Sequence, residues 1–587
     1  MSGTSRRFCL YLIKPSHYDD DGYVIQWFRS PIPSNSLASV YGLSIDCAER
    51  NVLGEDWEFD IHTLDETNTE VRIGDIVRSV NDADAGVVMM IGVQSNQFPH
   101  ALDIARPLRA AGISVAIGGF HVSGVIAMLD GDDTGLKQAT EMGVSLFAGE
   151  AEGRLDEVLK DASKGKLKPI YNYMSDLPGI SDTPVPFMPL EHVTRTAYNL
   201  TSFDAGRGCP YQCSFCTIIN VQGRKSRRRS PDDIEKIIRD NLDQGVYRFF
   251  ITDDNFARNM DWEKILDRLI VLREEEGLNF NFFIQVDTLC HRIPNFIEKC
   301  ARAGVKRVFI GLENINPANL AEAKKRQNKI TEYRHMLLKW KEYKIITYAG
   351  YITGFAADTY ESVMHDIDVI KRELPVDILE FFYLTPLPGS EDHQRLHRQG
   401  VPMDADLNKY DLNHVTTAHG KMSAVEWERT YRDAWERYYT LEHVEAIMRR
   451  AAASDISVPN VLLLMVWFLG ALKIEGVHPL ECGVLRKKSR RARRHGLPIE
   501  PAIVFYPKYW AETAYKWSRW ISLYVRFGLV YKKIERDPAK LDYIDWATTP
   551  VTDAEEDREL FQSDEAKGYL DHQHKIDRIK KDAVQGI

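Results

Sequence analysis

Three of the eight cysteines fall within eight positions of the chain, in the stretch RGCPYQCSFCTII. Cys209, Cys213 and Cys216 have the spacing Cys-x3-Cys-x2-Cys. Three thiolates on one loop can bind three irons of a four-iron cubane and leave the fourth iron without a protein ligand. The spacing therefore predicts an iron–sulfur cluster whose open iron can bind a small molecule.

Zinc binding and simple burial of the thiols are two alternatives to an iron–sulfur cluster. A structural zinc site needs four ligands, and no histidine or further cysteine lies within seventy residues downstream of Cys216. A fourth ligand could still come from a distant part of the fold. In the second alternative, the three thiols are ordinary core side chains without a metal.

The composition indicates a soluble globular protein of two or three domains, because 587 residues exceed what one core usually serves. Lysine and arginine total 75 against 85 acidic residues, a formal charge of -10, so nucleic acid is not an expected partner. We read no secretory signal at the N-terminus. Eight cysteines are too few for a disulfide scaffold, and we expect a cytoplasmic location.

The N-terminal third predicts an α/β domain. The strand VVMMIG, the helical segment FPHALDIARPLRAAG and the strand ISVAIGGFH follow one another, and SLFAGEAEGRLDEVLKDASKGK repeats the pattern. This order favours a doubly wound parallel sheet. We predict a Rossmann-like domain over residues 1–170 and a proline-rich linker over 171–194.

The next region predicts a partial (β/α)6 barrel over residues 195–400. Six strand patterns alternate with helical segments: FDAGRG, RFFITDD, NFFIQVD, RVFIGLEN, ITYAGYITG and ILEFFYLTPLPG. Each ends in polar residues or glycine, as expected where barrels place their chemistry. Residues 401–550 read as a mainly helical C-terminal region, and 551–587 as a charged tail.

Two segments leave the question of a lipid surface open. The apolar run VLLLMVWFLGAL, Val461 to Leu472, would span about 18 Å as a helix, too short to cross a bilayer, so we predict a core helix and no transmembrane segment. The segments RKKSRRARR and YKWSRWISLYVRFGLVYKK follow it and make peripheral membrane contact the alternative. A third basic segment, GRKSRRRS, is either a solvated face, a clamp for anions or a weak nucleic-acid signal.

The cysteine spacing, with Phe215 just before the third cysteine and six βα units, resembles the radical S-adenosylmethionine (SAM) superfamily over about residues 203–390. The resemblance implies a 4Fe-4S cluster, SAM bound at the open iron, an external one-electron reductant and a radical that abstracts hydrogen. The family's Gly-Gly-Glu at the second strand end is replaced here by Thr252-Asp253-Asp254-Asn255. Residues that the resemblance places near SAM or substrate are Phe215, Asp253, Asp254, Asn255, Gln285, Asp287, Glu313, Thr353 and Pro388.

The domain order is similar to that of the cobalamin-dependent class of this superfamily, whose corrin lies on the C-terminal edge of the first sheet. The resemblance puts Gln94, Ser95, Asn96, Gly118, Gly119 and His121 at that edge. The signature Asp-x-His-x2-Gly is absent; the similar run Asp60-x-His62-x2-Asp65 makes His62 a candidate for an axial ligand, with a solvent-facing strand residue as the alternative. A domain of this type that holds no corrin is the alternative.

These expectations together indicate a radical SAM enzyme, specifically a cobalamin-dependent methyltransferase for an unactivated carbon or phosphorus. A cyclase or oxidoreductase similar to the anaerobic porphyrin cyclases is one alternative, and a non-catalytic iron–sulfur or corrin sensor is another. The expected substrate is a small molecule rather than a macromolecule, and among small molecules a large and apolar one. The segment KYDLNHV places Tyr410, Asp411 and His414 after the barrel, where a substrate contact or a capped turn would account for them.

Overall fold

The computed structural model describes residues 5–551, 558–562 and 567, and groups the chain into two compact units. The first unit contains Met1–Ile284, Thr385–Thr417 and Ile474–Arg519; the second contains Gln285–Leu384, Ala418–Lys473 and Trp520–Ile587. Each unit therefore collects several segments, and the predicted boundaries at 170, 194 and 400 stay predictions. The predicted charged tail lies outside the described residues except for Val551, 558–562 and 567.

The first unit contains a six-stranded parallel sheet, which confirms the predicted doubly wound fold class. In spatial order its strands are Trp57–Asp65, Arg6–Lys14, Ala85–Met90, Val115–Gly118, Ser145–Ala148 and Ile170–Asn172. Its helices are Asn35–Glu49, Ile73–Asn81, Phe98–Ala110, Phe120–Leu129, Thr134–Glu141 and Leu155–Ser163. The strand order reverses between Arg6–Lys14 and Ala85–Met90, and ligands of such sheets bind at this switch point.

Alternating side chains of these strands supply two apolar cores, one on each face of the sheet. Cys9, Tyr11 and Ile13 pack with one set of helices, and Phe8, Leu10 and Leu12 pack with the other. Because both faces are covered, the strands are almost continuously apolar, as parallel sheets require.

The barrel strands are parallel within each unit. In the first unit Leu200–Phe203, Arg248–Ile251 and the start of Asn281–Val286 form one ladder. In the second unit Val305–Glu313, Ile346–Thr353 and Ile378–Tyr383 form another. The helices that follow the strands are Pro231–Asp243, Trp262–Glu274, Phe296–Ala303, Pro317–Glu322, Ile330–Glu342 and Tyr360–Glu373. The predicted partial barrel of six βα units is confirmed as the fold class.

The predicted C-terminal helices are also present. They are Ala424–Tyr438, Leu441–Ala453, Val458–Gly470 and Ala502–Glu535, and a further helix, Glu391–Gln399, precedes this region. The basic segment before the last helix includes a strand that was not predicted: Val484–Lys487 pairs antiparallel with Gln26–Arg29. Arg486 and Lys488 of this segment both form ion pairs with Asp19, so part of the basic segment is used inside the protein.

The apolar helix is longer than its sequence pattern indicated. A π-helical turn, Ala471–Glu475, extends it, so that Val458–Glu475 forms an 18-residue apolar span. By length and composition this is the one helix among the described residues that could cross a membrane, and 50% of the span is buried inside the protein. Burial of half the span within the protein favours the core helix that the sequence predicted.

Candidate active site

The three cysteines lie on a loop whose neck is closed by backbone pairing. Gly206–Arg207 pairs antiparallel with Arg227–Arg228, and the amide of Cys209 donates to the carbonyl of Gly223 at 3.2 Å. Gly208 has φ +88°, and a Cβ there would lie 2.4 Å from the carbonyl oxygen of Lys225. The neck is therefore tight enough to require glycine, and the loop presents its thiols as one group.

The thiols fit a cluster that needs three cysteine ligands. None of the eight cysteines, all of which the structure describes, forms a disulfide; Cys213 is buried, whereas Cys209 and Cys216 are half-buried. Burial, together with the charges of Asp254, Cys213 and Cys209, raises the pKa of Cys216 to about 12. The three sulfurs are thus close enough to repel one another as thiolates, and a cationic cluster would relieve that repulsion.

A buried ion network holds the start of this loop. The guanidinium of Arg207 donates to Asp204 at 2.7 Å, to Glu150 at 2.7 Å and to Glu152 at 2.6 Å. Arg227 donates to the same Glu150 at 2.5 Å. Glu150 and Glu152 belong to the acidic turn after the strand Ser145–Ala148, so the network fixes the cysteine loop to the first sheet.

Ion pairs within the protein also limit how many basic residues of the segment GRKSRRRS are available to bind an anion. Arg227, Arg228 and Arg229 are paired with Glu150, Asp261 and Asp204 respectively. Three of the five basic side chains are therefore neutralised within the protein, and the anion clamp considered from the sequence does not form from them.

A cavity of about 520 Å³ lies against the cysteine loop within the first unit. That volume is within the range of about 300–1,000 Å³ for small-molecule sites. Its wall combines several parts of the unit: Gln94, Ser95, Asn96, Asp204, Arg207, Thr217, Ile218, Thr252, Asp254, Leu387 and Pro388 all line it. Predicted residues from the sheet edge, the strand ends and the Pro-x-Pro-Gly element thus meet in one space.

A smaller, apolar cavity of about 170 Å³ adjoins the large one, since Asn35, Ser36, Gly92, Phe120, Arg207 and Gln222 line both. Val40, Leu43, Phe147 and Val158 supply much of its wall, together with Gly118 and Gly119. An apolar cavity of about 150 Å³ is enough to take up benzene. The two cavities thus join a polar space of small-molecule size to an apolar one.

The two aspartates at the second strand end differ in position. Asp253 is buried, and its Oδ1 accepts hydrogen bonds from the amides of Ala205 and Gly206, each at 2.7 Å. Asp254 lines the large cavity, where the surrounding protein and the Asp253 carboxylate raise its pKa to about 7. Asp254 is thus placed to meet a ligand, whereas Asp253 supports the neck of the cysteine loop. The hydrogen bonds of Asp253 give no support to a cofactor contact by this residue, which stays a prediction.

Three more predicted residues of the first unit do not line either cavity. His121 is 0% exposed; its Nδ1 lies 3.2 Å from Ser95 Oγ, and its ring packs on Phe98 with centroids 4.3 Å apart. Burial lowers its pKa to about 4, so His121 is a neutral support for the Ser95 turn. Phe215 is half-buried and Asn255 is buried. Direct cofactor contacts by these three residues stay predictions, since the lining residues do not include them.

Packing within the fold accounts for the predicted glycines. Gly119 has φ +148°, and a Cβ there would lie 2.1 Å from the amide nitrogen of Val93. Gly118 packs beside Phe147, with an added Cβ at 3.2 Å from that side chain. These glycines let the sheet edge close tightly, and they line the small cavity as a result.

The predicted residues of the second unit have partners within that unit. Asp287 accepts a hydrogen bond from the amide of Leu289 at 2.7 Å, and Glu313, at φ +64°, forms an ion pair with Lys325. Thr353 is 0% exposed and donates to the carbonyl of Phe382 at 3.1 Å. Gln285 is half-buried. Cofactor contacts by these four residues stay predictions.

Of the four residues at the polar corner of the large cavity, sequence reasoning considered Asp411, as a substrate contact or a capped turn, and missed Lys14, His17 and Glu481. Lys14 and His17 lie at the end of the first strand, and Asp411 and Glu481 come from distant segments, yet all four line this space. His17 Nε2 lies 3.3 Å from Glu481 Oε2, and burial lowers the pKa of Lys14 to about 8. The motif KPSHYDDDGY at the strand end was the available signal, because loops after strands next to a switch point carry ligand-binding residues.

His62 is remote from this space. It lies on the edge strand Trp57–Asp65, where it stacks on Tyr11 and pairs with Asp60 at 3.0 Å. It does not line either cavity, so its candidacy as an axial ligand is not supported by the geometry.

Comparison with known proteins is consistent with this geometry. The Radical SAM superfamily profile matches residues 204–370. The bacteriochlorophyllide d C-12(1)-methyltransferase of Chlorobaculum tepidum is 27% identical over 70% of this chain and 84% of its own. The hopanoid C-2 methylase of Rhodopseudomonas palustris is 24% identical over 66% of this chain and 74% of its own.

Among solved structures, the radical SAM methyltransferase TsrM from Kitasatospora setae, with cobalamin and a 4Fe-4S cluster bound, has a similar fold. The TM-score is 0.51 at 16% sequence identity, over 72% of this chain and 85% of that one. At this level of identity the likeness concerns the fold alone.

Proposed function

Because the chain belongs to the radical SAM superfamily, we propose that it is a cobalamin-dependent methyltransferase for an unactivated carbon or phosphorus atom. Family membership makes it an enzyme with a 4Fe-4S cluster that cleaves SAM reductively. When bound, the cluster and SAM supply a carbon-centred radical that removes hydrogen from the substrate, and the corrin supplies the methyl group.

One observation carries the cobalamin part of the proposal. The large cavity is lined by Gln94 and Asn96 at the edge of the first sheet, by Thr217 of the cysteine loop and by Thr252 and Asp254 of the barrel. A methyl donor held at the sheet edge and a radical formed at the cysteine loop would share this one space. Methyl transfer needs that proximity, since a substrate radical must meet the donor before it meets solvent.

The chain's own residues have separable roles in this proposal. Cys209, Cys213 and Cys216 hold the cluster as thiolates. Arg207 positions their loop through the buried ion network, and Asp254 would accept a hydrogen bond from the SAM ammonium group. Asp254 suits this role because a carboxylate open to the cavity pairs well with a cation.

The substrate class follows from the size of the site and from the relatives. A small-molecule substrate and an external one-electron donor are consistent with the chemistry. We propose that the substrate is large and apolar, as a bacteriochlorophyllide and a hopanoid are for two relatives. We also propose that the protein is cytoplasmic and makes peripheral contact with a membrane to reach such a substrate.

The test is reconstitution without oxygen, with and without cobalamin. We expect about four irons and about one corrin per chain, as one cubane and one corrin site require. With a reductant, SAM should give both 5′-deoxyadenosine and S-adenosylhomocysteine, because a methyltransferase of this type consumes SAM in two ways.

Different results would favour the alternatives. Iron without corrin, with 5′-deoxyadenosine as the only product of SAM, would replace methyl transfer by cyclase or oxidoreductase chemistry. Iron and corrin without any SAM cleavage would indicate a sensor and contradict the proposal.

A further inference from the structure

The helix Ala502–Glu535 has 34 residues and carries an unusual number of exposed apolar side chains. One side of it packs on the protein through Phe505, Phe527 and Ile534, which are at most 3% exposed. Away from that side, Ile503 is 84% exposed, Trp510 63% and Ile521 59%. Single exposed apolar residues are common on protein surfaces, but a row of them on one helix marks an interaction surface.

Val504, Tyr515, Val525 and Leu529 are exposed elsewhere on the helix, and the other six exposed large apolar residues form one line along it. Their successive spacings of three, four, seven, four and three residues follow the helical repeat, so they share a face that is distinct from the packed side. We call this line the apolar stripe; it consists of Ile503, Tyr506, Trp510, Trp517, Ile521 and Tyr524. Tyrosine and tryptophan predominate in it, as in interfacial helices, where amphipathic rings lie at the depth of lipid headgroups.

The charge of the helix is opposite to that of the protein as a whole. Its basic residues are Lys508, Lys516, Arg519, Arg526, Lys532 and Lys533, whereas its acidic residues are Glu512 and Glu535. Glu512 is half-buried and is paired with Lys488 and Lys516. Lys508, Lys516 and Lys533 are paired with Glu500, Glu475 and Glu445, which lie outside the helix. The exposed Arg519, Arg526 and Lys532 therefore carry the positive charge that attracts anions to this surface, on a chain of net charge -10.

One of these basic residues lies on the side of the stripe itself. Lys532 is exposed and follows Ile521 by eleven residues and Tyr524 by eight, so the helical repeat returns it to the same side. A lysine at the end of an apolar line can extend its charged group to the headgroups while its methylene chain stays with the apolar side chains.

We propose that this helix docks the protein on a bilayer surface that contains anionic lipid. The apolar stripe enters the boundary between headgroups and acyl chains, and Lys532 attracts lipid phosphates together with Arg519 and Arg526. A second copy of the chain is a poorer occupant, because pairing two such helices would bring like charges together. This helix is thus the surface for the peripheral membrane contact proposed above. The inference rests on the proposed function in one respect: an apolar substrate would dissolve in the same bilayer.

The experiment is flotation of the full-length reconstituted protein with vesicles of phosphatidylcholine, with and without phosphatidylglycerol. We expect the wild type to float with the anionic vesicles only, and to be released by high salt because the attraction is partly electrostatic. Trp510→Glu combined with Ile521→Glu should abolish flotation. Lys532→Gln should weaken vesicle binding about fivefold, the effect of about 1 kcal/mol per basic residue.

Val425→Glu is the matched control, since Val425 is 76% exposed on a different helix, and it should float like the wild type. Iron content and thermal midpoint establish that each variant is folded. If the double variant is not folded, Lys532→Gln and the salt dependence carry the test.

The proposal is overturned if the wild type does not float with anionic vesicles, or if the stripe variants float equally well. It is also overturned if the wild type instead forms a dimer that the stripe variants dissociate. SAM cleavage, measured without vesicles, reports on the proposed chemistry separately.

Discussion

Arg207, two residues before the first cysteine of the cluster motif, donates a hydrogen bond from its Nη2 to Glu152 Oε1 at 2.6 Å. This contact joins the cysteine loop to the acidic turn of the first sheet, and both side chains are less than one tenth exposed. The geometry of the cysteine loop therefore depends on an ion pair between two side chains, neither of which is a ligand of the cluster.

We expect Arg207→Gln to lower the free energy of unfolding by about 3–5 kcal/mol, because it leaves buried carboxylates without their cation. Urea unfolding monitored by circular dichroism measures this change. Arg224→Gln is the control, since Arg224 is an exposed arginine of the same segment and should change stability by less than about 0.5 kcal/mol. Equal effects of the two substitutions would contradict the assigned role of the network.

We expect Cys213→Ala to abolish cluster binding and SAM cleavage, because two thiolates do not hold a cubane. Iron and sulfide analysis and the yield of 5′-deoxyadenosine measure both effects after anaerobic reconstitution. Cys300→Ala is the matched control: Cys300 is a fully buried thiol on the helix Phe296–Ala303, and its loss should cost about 1 kcal/mol of stability with iron retained. Full iron content in the Cys213 variant would refute the cluster assignment.

The two adjacent aspartates should give different phenotypes. Asp254→Asn is expected to weaken SAM binding about tenfold or more, the cost of removing a charged hydrogen-bond partner. Asp253→Asn is expected to lower stability by about 1–3 kcal/mol, because the amide group accepts more weakly from the amides of Ala205 and Gly206 than a carboxylate does. Equilibrium dialysis with SAM and urea unfolding separate the two effects. The opposite pattern would exchange the roles of the two residues.

His414 should make stability depend on alkaline pH. Burial alone would lower its pKa, but hydrogen bonds to Asp20 and Asp411 outweigh burial and raise the pKa to about 10. The folded state therefore holds this proton more tightly than the unfolded state, whose histidine pKa is about 6.5. The stabilisation is complete below that value and is lost as the pH rises through about 10.

At pH 6 the free energy of unfolding of His414→Gln should accordingly be about 2 kcal/mol lower than that of the wild type, after allowance for partial solvent screening. Near pH 10 the two free energies of unfolding should become similar. Urea midpoints of both proteins across this pH range measure the difference. A constant difference would show that the two carboxylates do not hold the proton.

The sequence predicted those features of the fold and site that depend on residues close together in the chain. The cysteine spacing and the strand–helix alternation are local, so the cluster motif, the doubly wound sheet and the barrel class were predicted. The supporting positions of Asp253 and His121 were not, because they depend on Ala205, 48 positions before Asp253, and on Ser95, 26 positions before His121. Glu481 could not be assigned to the cavity at all, since it follows Asn96, its hydrogen-bond partner, by 385 positions.

The first unit is completed late in biosynthesis. Its three segments end at Ile284, Thr417 and Arg519, so the polypeptide leaves this unit and returns to it twice. On a ribosome the N-terminal sheet can begin to fold early, but the wall that contains Asp411 and Glu481 cannot close until most of the chain has been translated. A nascent chain that ends with the barrel therefore has an unfinished cavity, which lacks the wall that contains Glu481.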